Sequence, residues 1–260
     1  MSHHTIHINH LNYTYPDGTP ALHDICMEVG HGESIAVIGG NGAGKSTLLL
    51  HLCGAIIPLD GEIRIGGIPI IKSTLSDIRR TVGMVFQNPD DQLFMPRVYD
   101  DVAFGPLNMG LPNQDVEQRT KKALKQVGAW ELRDKMPHKL SGGQQRASSI
   151  ATILSMEPSI LVMDEPTANL DHKARRNIIN ILREFHHTKF IATHDLRLAR
   201  ALCPRSILMH EGRIIADGTS SEIFANRSLM ESCNLEPIEP IEPIEPIEPI
   251  TPGSPLDSLD

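Results

Sequence analysis

Cysteine is scarce. Cys26, Cys53, Cys203 and Cys233 are spread over 260 residues, and no two form a C-x-x-C pair. That excludes a disulfide scaffold and points to reduced thiols in a cytosolic setting. Aromatic residues make up only 4%, so the core must be built mostly from Ile, Leu, Val, Ala and Met. No apolar run nears the roughly 18–20 residues needed to cross a bilayer. The opening Met1-Ser-His-His-Thr-Ile-His lacks the apolar centre of a signal peptide. Any membrane role must therefore come through a partner. A surplus of positive charge is also missing, the net charge being −8. Seven of the acids (Glu236, Glu239, Glu242, Glu245, Glu248, Asp257 and Asp260) sit in a final stretch without Lys or Arg. The preceding 235 residues are then close to neutral, which argues against general nucleic-acid binding while leaving a local basic patch open.

What is present suits a globular protein, with 40% hydrophobic and 22% charged residues. One globular unit is expected over 1–235. Beyond it Glu-Pro-Ile repeats five times from Glu236 to Ile250. Proline at every third position removes backbone donors, and the period matches polyproline II. Residues 236–260 are expected to be a solvated, disordered or extended appendage, with a docking ligand as the alternative.

Within the globular unit, short apolar runs alternate with helical stripes. Strands are expected at Ser34–Ile38, Gly83–Phe86, Ser159–Met163 and Lys189–Ala192. Ser46–Cys53 reads as a helix stopped by Gly54, and residues 145–156 as another, with Ala147, Ile150, Ala151 and Leu154 on one face. Ala174, Ile178, Ile181 and Phe185 form a similar stripe. Ile207–Ile215 reads as a hairpin around Glu211-Gly212. The expected class is α/β, with a mixed, mainly parallel core sheet and an antiparallel part.

Gly39-Gly40-Asn41-Gly42-Ala43-Gly44-Lys45-Ser46-Thr47 matches G-x-x-x-x-G-K-[ST] between a strand and a helix. Its glycines let the backbone curl so that successive N–H groups face one phosphate, and the helix N-terminus adds its positive end. Lys45 should reach the β- and γ-phosphates, and Ser46 should ligate Mg²⁺. The motif implies a nucleoside triphosphate but not the machine that uses it.

Ile160-Leu-Val-Met-Asp164-Glu165 is an apolar strand ending in two acids. Asp164 should sit at the carboxyl edge of the sheet and hold Mg²⁺, with Glu165 as general base for the attacking water. Gln87 ends another strand, where it can touch both metal and water. His194 ends a fourth, where an imidazole can bond the γ-phosphate or position the water. Ser141-Gly142-Gly143-Gln144 opens a helix and offers a second set of N–H groups. By itself that turn is a helix cap. Beside a phosphate loop, it makes sense if two copies meet head to tail and complete each other's site.

Taken together, these residues resemble an ATP-binding cassette (ABC) ATPase. Gly39–Thr47 matches Walker A, Gln87 the Q-loop, Leu140–Gln144 the signature and Ile160–Glu165 Walker B with its catalytic Glu. Asn169-Leu170-Asp171 resembles the D-loop and Thr193-His194-Asp195 the switch histidine. Tyr15 resembles the aromatic that stacks on adenine. The six motifs follow the family's order and spacing over about residues 5–225. The resemblance implies a P-loop NTPase fold with a helical subdomain at about 88–155, and ATP with Mg²⁺ as ligands. It also implies a second ATPase copy, identical or not, as partner. One departure stands out: the family often has Arg three residues past the signature, where this chain has Ala147, and its arginine is Arg146. That puts the arginine's usual contacts in question.

A narrower resemblance rests on Val85–Phe94 and Asp101–Gly110. These segments are similar to the ATPases of energy-coupling-factor importers, most of all the cobalt/nickel subunits. It implies an integral membrane scaffold, a separate substrate-capture subunit, and a peripheral place on the cytoplasmic face of the cell membrane. Residues 88–110 are the expected grip on the membrane partner, or else plain subdomain packing. A vitamin or other cargo is the alternative, as is a cassette ATPase outside transport. Lys45 and Ser141 lie only 96 residues apart, which leaves no room for the insertions of chromosome or DNA-repair relatives. No Asn-Lys-x-Asp motif supports a GTPase. His3, His4, His7 and His10 read as exposed N-terminal histidines, with metal capture as the alternative.

Overall fold

A computed structural model describes residues 4–236. The chain begins with strands β1 (Ile6–Thr14), β2 (Pro20–Val29) and β3 (Ser34–Ile38), then helix α1 (Lys45–Leu52). Strands β4 (Asp60–Ile65) and β5 (Ile68–Pro69) follow, then α2 (Leu75–Thr81) and β6 (Val82–Val85). Next come α3 (Val98–Asn108), α4 (Asn113–Gln126), α5 (Gly142–Leu154) and β7 (Ile160–Asp164). The described part ends with α6 (His172–Arg183), β8 (Thr188–Ala192), α7 (Leu196–Leu202), β9 (Arg205–His210), β10 (Arg213–Thr219), α8 (Ser220–Ala225) and α9 (Arg227–Ser232).

Two sheets form. The central one has the order β10-β9-β3-β8-β7-β6, parallel from β9 to β6, with β10 added antiparallel. The other is antiparallel throughout, in the order β2-β1-β4-β5. The expected α/β class with a mainly parallel core sheet is what the chain adopts. The β9–β10 turn has positive φ at Glu211 and Gly212, as a two-residue hairpin turn matching strand twist requires.

The period-two alternation of the central strands divides the interior. Ile35 and Val37 of β3, with Ile160 and Val162 of β7, face α1 and the antiparallel sheet. Ala36, Ile38, Leu161 and Met163 face the opposite core, built with α3 to α8. Buried on both faces, these strands are continuous apolar runs. Helices α3, α4 and α5 pack on one another through Val102, Leu124 and Ile150.

Some boundaries move. The helix expected from 145 begins at Gly142, because Ser141 caps it in a reciprocal capping box with Gln144. Phe185 lies beyond the end of α6, yet stays buried in the same core. The antiparallel share is larger than the expected hairpin, since it includes a sheet of its own. The Glu-Pro-Ile repeat beyond Glu236 and His3 lie outside the described residues.

Candidate nucleotide site

The parallel strands β3, β7 and β8 end side by side, and their ends carry the chemistry. After β3 the chain turns through the glycine loop into α1. Gly44 has φ +96, and a Cβ there would lie 2.7 Å from the Ala21 carbonyl oxygen. A Cβ on Gly39 would lie 2.3 Å from the Met209 carbonyl oxygen. Only glycine fits either place.

A cleft of about 480 Å³ opens over this edge. It is lined by Tyr15, Asn41, Gly42, Ala43, Gly44, Lys45, Ser46, Thr47, Gln87, Asp164, Glu165 and His194, together with Thr19, Pro20 and Ala21. Most of the residues singled out in the sequence therefore meet in one place. Gly39 and Gly40 lie behind it, where their carbonyls accept hydrogen bonds from Lys45 Nζ at 2.8 and 2.9 Å. Two of the three ammonium donors are thus committed. Burial pulls the Lys45 pKa down, opposed by the nearby Glu165 and Asp164 carboxylates. The Tyr15 hydroxyl lies 2.9 Å from Thr47 Oγ1, and its ring meets Tyr13 edge-on at 5.0 Å.

The two acids behave differently. Asp164 is buried, and burial raises its pKa, with a hydrogen bond from the Ser46 hydroxyl as the largest opposing influence. Ser46, Asp164 and the Gln87 amide present hard oxygen donors at one cleft, the donor chemistry that suits Mg²⁺. Glu165 adopts φ 45 while its N–H still bonds the Ala192 carbonyl at 2.9 Å. That backward turn brings its carboxylate under the end of β8. There Oε2 accepts from Thr193 Oγ1 at 2.9 Å. Oε1 accepts from the His194 N–H at 2.9 Å and lies 2.7 Å from His194 Nδ1. The pair is asymmetric, with the Glu165 side chain 9% exposed and that of His194 66% exposed at the cleft mouth. Thr193, which completes this clamp, was seen in the sequence only as a neighbour of His194.

Two groups of candidates lie elsewhere. Ser141, Gly142, Gly143 and Gln144 open α5 and do not line the cleft, though Gly142 lines a neighbouring pocket with Gln87, and Ser141 Oγ accepts from the Gln144 N–H. Asp171 caps α6 by accepting from the Ala174 N–H at 2.7 Å. The two helix starts touch, because a Cβ on Gly143 would lie 2.6 Å from the Ala174 Cβ. Arg175 then joins α6 to α7 by an ion pair with Asp195 at 2.5 Å.

The misplaced arginine also finds a role. Arg146 is buried and donates to the backbone carbonyls of Phe86, at 2.6 Å, and Gln87. Gln92 adds a second tie: its Oε1 accepts from the Phe86 N–H at 3.1 Å. Its Nε2 donates to Ser149 O and Thr152 Oγ1, both at 2.7 Å. The signature helix therefore holds the strand end that carries Gln87. The only hint of this in the sequence was the shifted arginine.

Comparison with known proteins agrees with this geometry. The ABC transporter family matches residues 22–168. A putative ABC transporter ATP-binding protein of Geobacter sulfurreducens is 57% identical over 91% of this chain and 95% of its own length. The energy-coupling factor transporter ATP-binding protein EcfA of Methanothermobacter thermautotrophicus is 47% identical over 88% of this chain and 76% of its own. Among solved structures, cbiO1 from Clostridium perfringens, part of the ABC transporter complex cbiONQ, superposes with a TM-score of 0.77 at 40% identity. That match covers 89% of this chain and 95% of cbiO1. An ATP-binding cassette caught as a dimer after hydrolysis, with ADP and Pi bound, gives a TM-score of 0.75 at 27% identity, over 83% of this chain and 98% of that one. The chain belongs to the ABC transporter family, as an ATP-hydrolysing cassette similar to the ATPases of energy-coupling factor transporters.

Proposed function

We propose that this ATPase works as one of a pair that closes on two ATP molecules and drives an energy-coupling-factor importer for a cobalt or nickel ion. The observation that carries the paired reading is that, while Gly142 lines a neighbouring pocket with Gln87, none of Ser141–Gln144 lines the nucleotide cleft of its own chain. Those residues start a 13-residue helix, whose N-terminus favours an anion. A Cβ on Gly142 would meet nothing within 4 Å, so this surface is open to a second copy. The dimeric, ADP-bound neighbour supports the same reading.

In this reading Gly39–Thr47 cradles the triphosphate and Lys45 grips its outer phosphates. Tyr15 lies against the adenine. Ser46, Asp164 and Gln87 would hold Mg²⁺, which when bound neutralises charge on the β- and γ-phosphate oxygens. Glu165 takes the proton of the attacking water, and His194 orients that water and the γ-phosphate. Ser141, Gly142, Gly143 and Gln144 of the second copy complete the far side, with Asp171 bracing the seam. Loss of the γ-phosphate removes what the two copies share, and the pair reopens.

The membrane partners are a scaffold and a substrate-capture subunit, which place the ATPase peripherally on the cytoplasmic face. Among the described residues no helix is long and apolar enough to cross a membrane. The expected docking segment, 88–110, carries exposed Phe94, Phe104 and Leu107, with the two rings edge-on at 5.1 Å. The cobalt or nickel cargo draws on the Val85–Phe94 and Asp101–Gly110 segments and on the likeness to cbiO1.

Co-expression with membrane subunits and reconstitution in vesicles tests this. ATP-dependent uptake of cobalt or nickel, lost in Glu165→Gln, is expected. Uptake of a vitamin instead would overturn the cargo. Unchanged hydrolysis in Glu165→Gln would overturn the base.

A further inference from the structure

We propose that His10, Asp24 and Cys26 form a surface site for a borderline divalent transition metal ion of the zinc, cobalt or nickel class. His10 Nδ1, an Asp24 carboxylate oxygen and Cys26 Sγ all lie within 4.8 Å of one another. His10 Nδ1 is 2.7 Å from Asp24 Oδ1 and 3.6 Å from Cys26 Sγ. A tetrahedral ion with bonds of about 2.0–2.3 Å holds its ligand atoms about 3.3–3.8 Å apart. The sulfur–nitrogen edge already has that length, and the nitrogen–oxygen edge reaches it by a small opening.

The backbone builds this cluster. Between the pairs Ile8–Met27 and Leu11–Ile25, two residues of β1, Asn9 and His10, oppose the single Cys26 of β2. On the other side His10 and Leu11 oppose the single Gly61 of β4. The extra residue fits because Gly61 has no side chain: a Cβ there would lie 2.4 Å from the His10 carbonyl oxygen. Such a bulge re-aims a side chain. His10 and Asp24 take positive φ, 48 and 53. One residue pins both, since Asn12 Oδ1 accepts from the Asp24 N–H at 2.8 Å and Asn12 Nδ2 donates to the His10 carbonyl at 3.1 Å. The His10 N–H lies 3.2 Å from Cys26 Sγ, a donor that a metal-bound thiolate accepts.

A nitrogen, a thiolate sulfur and one carboxylate select borderline ions over Mg²⁺ or Ca²⁺. All three ligands are exposed, so a fourth position is open to water. Binding releases the thiol proton to solvent, while the neutral imidazole of His10 carries its proton on Nε2 and offers Nδ1 to the ion. None of the three lines the nucleotide cleft, so this site stands apart from the hydrolytic one.

Titration of the reduced full-length protein with Co²⁺ provides the test. One equivalent should produce thiolate-to-cobalt charge-transfer absorption and raise the melting temperature. Cys26→Ser should lose the band, and His10→Gln and Asp24→Asn should each weaken binding about tenfold or more. Cys53→Ser, and a variant lacking His3 and His4, should keep the band. Absence of the band in the parent protein, or its survival in Cys26→Ser, overturns the proposal.

Discussion

At the scale of single residues, Arg146 shows how a side chain can matter without facing the nucleotide. Its guanidinium is buried, and burial lowers its pKa. It covers two backbone carbonyls at the end of β6. Arg146→Ala leaves those carbonyls without their donor, at a cost of about 2–4 kcal/mol of stability. It also frees Gln87 to drift, so the ATPase rate should fall about tenfold or more while ATP still binds at Lys45. Denaturant unfolding and steady-state hydrolysis check the two halves. Lysine should restore little, because a compact ammonium does not reproduce the planar fork. At this scale the sequence was informative wherever a motif names an atom. Lys45, Ser46, Asp164, Glu165 and His194 all line one cleft. The Glu165 turn at φ 45 was not legible, because positive φ at a non-glycine residue depends on what β8 offers nearby.

Among elements, α5 and α6 carry a contrast between adjacent glycines. Gly143 has Ala174 against it, whereas Gly142 has nothing within 4 Å. Gly143→Ala should therefore destabilise the fold by about 1–3 kcal/mol through overpacking. Gly142→Ala should leave the melting temperature unchanged yet impair ATP-dependent pairing, since in the proposed pair the second copy would occupy the space that its methyl fills. Thermal unfolding and light scattering with ATP separate these outcomes. Legibility at this scale followed burial. Strands β3, β7 and β8 are buried on both faces and announce themselves as apolar runs. Helix α4 buries only Val116, Thr120, Ala123 and Leu124 of its 14 residues, so its pattern hides in polar sequence. Strand β1 is broken by register shifts, which spoil its alternation.

For the whole molecule, the decisive quantity is mass. Glu165→Gln with ATP and Mg²⁺ should double in mass by light scattering, and the parent protein with ADP should remain single. A variant that stays single, even beside its membrane subunits, would remove the basis for the paired reading. The family-level architecture was legible, because six short motifs fix the order of strand ends around one edge. The helix-opening turn at Ser141–Gln144, beside a phosphate loop, already suggested that the two serve different copies, but the chain gives no sign of how they are set apart: none of the four residues lines the cleft that Lys45 lines. The contact of α5 with α6 through Gly143 and Ala174 supplies that placement.

The alternation along β3 has one more consequence. Ile35 and Val37 serve one interior, and Ala36 and Ile38 the other. Deleting a single residue from this five-residue strand would hand the side chains on one side of the deletion to the wrong interior, or pull the glycine loop back by about 3.3 Å. One aliphatic group can therefore stand in for another of similar volume here at modest cost, whereas a change in the length of the stretch disturbs both interiors and the loop together.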